Sequence, residues 1–161
     1  MANNIGEVTV REIDWAAVDK REPGSLDKVV ASWITDKKKG EWSEAMCYSP
    51  CNEYLAVGSH DNFIYIYLAK KKYKLFKKKM TGHSSFITAL DWSQDSDWMR
   101  STCGAHELLF WQPKNNKRDP SGASNTRPVT WADHSAKIGW CVEGITPSGC
   151  DGTHINSVTL S

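Results

Sequence analysis

Glu53-Tyr54-Leu55-Ala56-Val57-Gly58-Ser59-His60-Asp61-Asn62-Phe63-Ile64-Tyr65-Ile66-Tyr67 decides how the chain is read. Tyr54 to Val57 and Phe63 to Tyr67 are rich in β-branched and aromatic side chains, which suit a pleated, half-buried surface. Gly58 to Asn62 between them are residues that tolerate turn geometry. The stretch therefore reads as two short strands joined by one tight turn.

Working outward, the same pattern recurs. A shift of 44 residues lays Cys47-Tyr48-Ser49 on Asp91-Trp92-Ser93, Tyr54-Leu55 on Trp98-Met99, and Ile64, Ile66 and Tyr67 on Leu108, Phe110 and Trp111. Beyond Trp111 the register breaks, and Ile155 to Val158 matches Ile87 to Leu90 only at an offset of 68, which implies a 24-residue insertion. A period of about 40 to 45 residues with several short strands per unit is that of a WD40-type propeller blade. The fold class expected is all-β: a WD40-type β-propeller fragment of about two blades plus parts of their neighbours.

Individual residues fit that reading. Gly82-His83 stands where such a unit begins, Ser59 and Asp61 stand in a turn between strands, and Trp111 closes a third strand. A loop His, a turn Asp, a strand hydroxyl and a strand-end aromatic can form a hydrogen-bonded brace that satisfies polar groups beneath the loops. Neither unit carries the full set. Tyr67 replaces the strand-end Trp and Lys39 aligns with His83 in the first, and Ala105 aligns with Asp61 in the second.

In order, residues 1–35 hold two extended pieces, Val8 to Ile13 and Val29 to Ile34, around a stretch with Pro23-Gly24, and read as a leader or the end of a preceding blade. Residues 36–84 form a first WD-like unit and 85–154 a second with an insertion near 112–138, while 155–161 supply the first strand of a third. The first unit's fourth strand is expected near Tyr73 to Met80. Residues 112–128, with Pro113, Pro120 and Pro128, are expected as a polar loop, and Gly139 to Ile145 as a further strand.

Composition excludes several function classes. Twenty basic and 19 acidic residues leave a net charge of +1, so no global field draws the chain to nucleic acid. No apolar run approaches the roughly 20 residues needed to span a bilayer. Five cysteines at irregular spacings, behind an amino terminus without a signal-peptide core, point to free thiols in a reducing compartment. The hints of metal ligation, Cys103 with His106 and Cys47 with Cys51, lack the second pair of a structural zinc site, so no metal and no cofactor are expected. Nothing supplies a nucleophile for His83 or a phosphate loop, so no catalysis is expected.

Trp42-Ser43-Glu44, Tyr48-Ser49-Pro50, Leu55 to Phe63, Gly82 to Thr88 and Gly144-Ile145-Thr146-Pro147 with Asp151-Gly152-Thr153 together resemble the echinoderm microtubule-associated protein-like family over about residues 36–161. The resemblance implies fused, atypical propellers that bind tubulin and microtubules in the cytoplasm, on the cytoskeleton of spindle or cilium, without catalysis. Other cytoskeletal or axonemal proteins are further implied partners. A propeller closes only with several blades, so the remainder is expected from the same longer chain or from a partner, and two blades alone would leave two open flanks.

The residues themselves offer one candidate surface. Lys70, Lys71, Lys72, Lys74, Lys77, Lys78 and Lys79 surround Tyr73, Leu75 and Phe76. They could meet the acidic surface of tubulin through salt-sensitive attraction, or be the solvated rim of an edge strand, where lysines discourage stray pairing. A general scaffold that recruits a peptide or protein through its loops is the alternative function. The tryptophans at strand starts and ends suit packing between blades better than base stacking.

Overall fold

The computed structural model describes residues 6–20, 28–35 and 41–136. The strands expected over 139–145 and 155–161 and the Pro23-Gly24 stretch lie outside them. The chain divides into two units, residues 1–43 and 44–161.

In the first unit, β1 (Glu7–Arg11) pairs antiparallel with β2 (Val29–Ile34), with an irregularity between Val10 and Arg11. The extended piece expected through Ile13 stops at Arg11. Asp14 caps a short helix instead, α1 (Trp15–Asp19), its carboxylate accepting the Ala16 and Ala17 N–H groups at 3.0 and 3.2 Å.

The second unit holds two four-stranded sheets. β3 (Ser43–Tyr48), β4 (Tyr54–Ser59), β5 (Ile64–Leu68) and β6 (Lys74–Leu75) follow one another across the first. In the second, β7 (Ile87–Trp92), β8 (Met99–Cys103), β9 (Leu108–Gln112) and β10 (Lys117–Asp119) do the same. The opening stretch is the β4–β5 hairpin, in register from Tyr54 opposite Leu68 to Gly58 opposite Ile64. Antiparallel meanders with WD40-type repeats are blades of a β-propeller.

The 44-residue repeat runs deeper in the backbone than in the side chains. Left-handed residues recur at that spacing: Asn52 (φ 56°) and Ser96 (62°), Asn62 (70°) and His106 (61°), Lys72 (51°) and Asn116 (55°). Ser49 and Ser93 hold matching corners, each Oγ accepting the N–H five residues on, at 3.1 Å from Tyr54 and 2.8 Å from Trp98. The repeat persists past Trp111, where the sequence loses it. Ala69–Lys71 and Pro113–Asn115 are equivalent 3₁₀ turns. Part of the stretch expected as a polar loop over 112–128 is thus the turn and outer strand β10, and a short helix, α2 (Gly122–Asn125), follows. Outermost strands carry polar side chains that share no apolar pattern, so their repetition is invisible by composition.

One face of each sheet meets the other blade. Ala45, Ala56, Ile64, Ile66 and Met80 of blade 1 share a buried core with Ile87, Leu90, Trp92, Met99, Leu109 and Trp111 of blade 2. Gly58 permits the approach, since a Cβ there would lie 2.4 Å from Ile87 Cγ2. Because strand side chains alternate, Asp91, Arg100 and Phe110 occupy the opposite face of blade 2. That face is covered by the chain's own residues 122–136. Gly122 lies against Phe110, the Phe110 and Trp131 rings are 6.2 Å apart, and the Arg100 guanidinium sits 4.4 Å above Trp131. Asp91 bonds Arg100 Nε at 2.8 Å and takes the Ser135 and Ala136 N–H groups at 2.9 and 3.0 Å. This buried polar clamp covers one of the two flanks expected to stand open, while on β3 of blade 1 Met46 and Tyr48 remain exposed.

Candidate functional site

Two clusters stand out, one beneath the loops of blade 2 and one along the outer rim of both blades. The first begins at Gly82-His83, just before β7. The His83 side chain is 1% exposed, and its Nε2 lies 2.6 Å from Ser101 Oγ on β8. Trp111, at the end of β9, donates its indole N–H to the same oxygen at 2.7 Å. His83 Nδ1 faces Glu107 Oε2 at 3.3 Å, and that oxygen also accepts the Ser84 N–H at 2.9 Å and the Cys103 thiol at 3.1 Å.

The electrostatics follow from this wiring. The Ser84 N–H, with the Cys103 thiol after it, holds the Glu107 carboxyl at about 2. Burial pushes His83 below its ordinary value against the opposing pull of Glu107, so the ring is neutral near pH 7. Burial, reinforced by Glu107, pushes the Cys103 thiol up. A neutral ring that donates to Glu107 and accepts from Ser101, with Ser101 accepting from Trp111, satisfies every buried polar atom in the chain of contacts.

His83 and Trp111 thus meet through Ser101, and the carboxylate comes from Glu107 rather than from the turn position held by Ala105. Sequence reasoning missed Glu107, although it is the lone acidic residue between Cys103 and Trp111. Ser59, Asp61 and Tyr67 lie apart from this cluster, in blade 1. Val57 stands where blade 2 has Ser101, so the strand hydroxyl is absent there. Asp61 instead accepts the Phe63 N–H at 3.1 Å and the Tyr65 hydroxyl at 2.5 Å, Ser59 Oγ accepts the Asp61 N–H at 3.4 Å, and Tyr67 is buried.

The second cluster is basic. Lys70, Lys71, Lys72, Lys74, Lys77 and Lys78 are exposed, and Lys79 lies half-buried with its ammonium 3.7 Å above Phe63. They occupy the 3₁₀ turn, β6 and the irregular segment leading to Met80, which rejoins β5 through Ile64. Lys70 pairs with Glu53 at 2.9 Å, which raises its pKa. Lys77 donates to the Lys114 carbonyl, tying this rim to the equivalent turn of blade 2. There the repeat places Lys114 at the position of Lys70 and Arg118 at that of Lys74, with Lys117 beside it, all three exposed. Lys114 pairs with Asp97. The basic rim therefore continues onto blade 2, a continuation hidden from sequence reading by the lost side-chain register.

Comparison with known proteins finds relatives of the chain. The profile of the echinoderm microtubule-associated protein second beta-propeller matches residues 8–161. A ciliary WD repeat-containing protein, ctxp80, of Euplotoides octocarinatus is 51% identical over 156 residues, 97% of this chain and 21% of that protein. The 77 kDa echinoderm microtubule-associated protein of Lytechinus variegatus is 43% identical over 149 residues, 91% of this chain and 21% of its own length. The chain thus spans about a fifth of these relatives. Among solved structures, the WD40 repeats of RRP9 align with a TM-score of 0.59 at 18% identity, covering 73% of this chain and 32% of that one, a likeness of fold.

Proposed function

The chain belongs to the echinoderm microtubule-associated protein family, and from that premise we propose that it is a non-catalytic, tubulin-binding part of a WD40-type propeller with a structural role in the microtubule cytoskeleton. The observation that carries this reading is the basic rim. Six exposed lysines of blade 1 and Lys114, Lys117 and Arg118 of blade 2 line the outer edges of adjacent blades. Such a stripe complements an acidic protein surface and raises the rate of encounter with it. Relatives named for microtubule association and for a cilium support the partner and a cytoskeletal location, cytoplasmic or axonemal. Among the described residues no helix is long and apolar enough to cross a membrane.

The blade 2 cluster enters this reading as a brace. Its hydrogen bonds fix the loop before β7 against the β8–β9 turn, which holds the blade's loops and rim in one geometry. Pelleting of the full chain with polymerised tubulin tests the proposal. Salt-reversible co-sedimentation is expected. A chain that stays in the supernatant while capturing another protein through its loops would favour the scaffold alternative.

A further inference from the structure

The brace of blade 2 also assembles a set of metal-type donors. A ring nitrogen of His83, Cys103 Sγ and a Glu107 carboxylate oxygen all lie within 4.8 Å of one another. We propose that these three side chains bind one divalent ion of the zinc type, with solvent at the fourth position. This goes beyond the microtubule reading and does not depend on it.

Three observations carry the proposal. The first is spacing. Zinc held by nitrogen, thiolate and carboxylate in a tetrahedral set places neighbouring donor atoms about 3.3–3.6 Å apart. Glu107 Oε2 lies 3.3 Å from His83 Nδ1 and 3.1 Å from Cys103 Sγ, close to those separations, and all three side chains bring a donor atom within 4.8 Å of the others, so the ion draws the His83 and Cys103 donors together around the carboxylate. The second is donor chemistry. A thiolate disfavours calcium and magnesium, whereas a mixed nitrogen, sulfur and oxygen set suits zinc and cobalt(II). The third is support and access. Ser101 holds His83 Nε2 at 2.6 Å and aims Nδ1 at Glu107, while the Ser84 N–H orients the carboxylate. The imidazole is 1% exposed but Glu107 is 36% exposed, which leaves one side for an ion and its water.

Binding the ion releases one proton to solvent, that of the Cys103 thiol, and changes the His83 tautomer: the ring proton that Nδ1 donates to Glu107 is given up and Nε2 takes one instead, donating it to Ser101 Oγ, whose own hydroxyl proton turns away from the ring. The ion takes over the two hydrogen bonds that His83 and Cys103 make with Glu107. Blade 1 has Lys39, Ser59 and Phe63 at the equivalent positions, so the donor set is particular to blade 2.

Titration of the full chain with cobalt(II) tests the site, because thiolate coordination produces a charge-transfer band in the near ultraviolet. One equivalent is expected to bind, to be displaced by zinc, and to give a band lost in Cys103→Ser but kept in Cys51→Ser, whose thiol is exposed. If Cys103→Ser fails to fold by circular dichroism, Glu107→Gln is expected to weaken cobalt binding at least about tenfold. A wild-type chain without the band, a band that survives Cys103→Ser, or unchanged affinity in a folded Glu107→Gln protein overturns the proposal.

Discussion

Cys51 and Cys47 are neighbours in sequence with opposite surroundings. Cys51 is exposed. Partial burial pushes its thiol up, but hydrogen bonds from Ser49, Ser96 and the Glu53 backbone outweigh that and hold it below its ordinary value. Cys47 packs against the core between the blades, where burial, with Asp91 adding to it, pushes the thiol to about 12. Since the thiolate is the reactive form, alkylation at neutral pH should modify Cys51 and spare Cys47 until the chain unfolds. Peptide mapping by mass spectrometry checks this, and equal rates would contradict it. Asp91 and Arg100, 0% and 1% exposed, form a pair whose disruption strands a buried charge. Asp91→Ala should cost about 3–5 kcal/mol in urea unfolding, whereas Lys71→Glu on the rim should stay within about 0.5 kcal/mol.

At the scale of the element, blade-to-blade packing depends on the bare backbone at Gly58. Its replacement by alanine drives a methyl group into Ile87, and overpacking of this kind costs about 1–3 kcal/mol. Combining it with Ile87→Ala, which removes the clashing Cγ2, should cost less than the sum of the two single changes because the sites touch. A neutral Gly58→Ala variant by thermal unfolding would mean the sheets pack otherwise. Legibility also divides by element. The β4–β5 hairpin could be read because aromatic and β-branched strands flank turn formers, and β7 to β9 because they repeat it. Strand β10 could not, since a polar edge strand leaves no apolar pattern. The Asp91–Arg100 clamp was equally hidden, as its partners Ser135 and Ala136 come from a segment whose fold depends on contacts distant in sequence. Glu107 escaped because the carboxylate reaches His83 from two positions beyond the aligned turn residue.

For the whole molecule, two blades of a propeller present a continuous basic rim, in a chain that spans 21% of its ciliary relative. The flank of blade 2 beyond Arg100 is covered by the chain's own residues, while the first strand of blade 1 keeps Met46 and Tyr48 exposed; the basic rim is the charged surface the two blades share. Attraction between the rim and an acidic surface is screened over about 8 Å at physiological ionic strength, which makes salt the natural probe. Charge reversal should slow association without disturbing the fold. The most direct measurement is microtubule co-sedimentation of the full chain across a salt series, wild type against Lys71→Glu combined with Lys78→Glu. The account predicts wild-type binding that falls steeply with salt, and weaker binding with a shallower salt slope in the double variant. Equal binding and equal slopes would contradict it and reduce the lysines to a solvated strand edge.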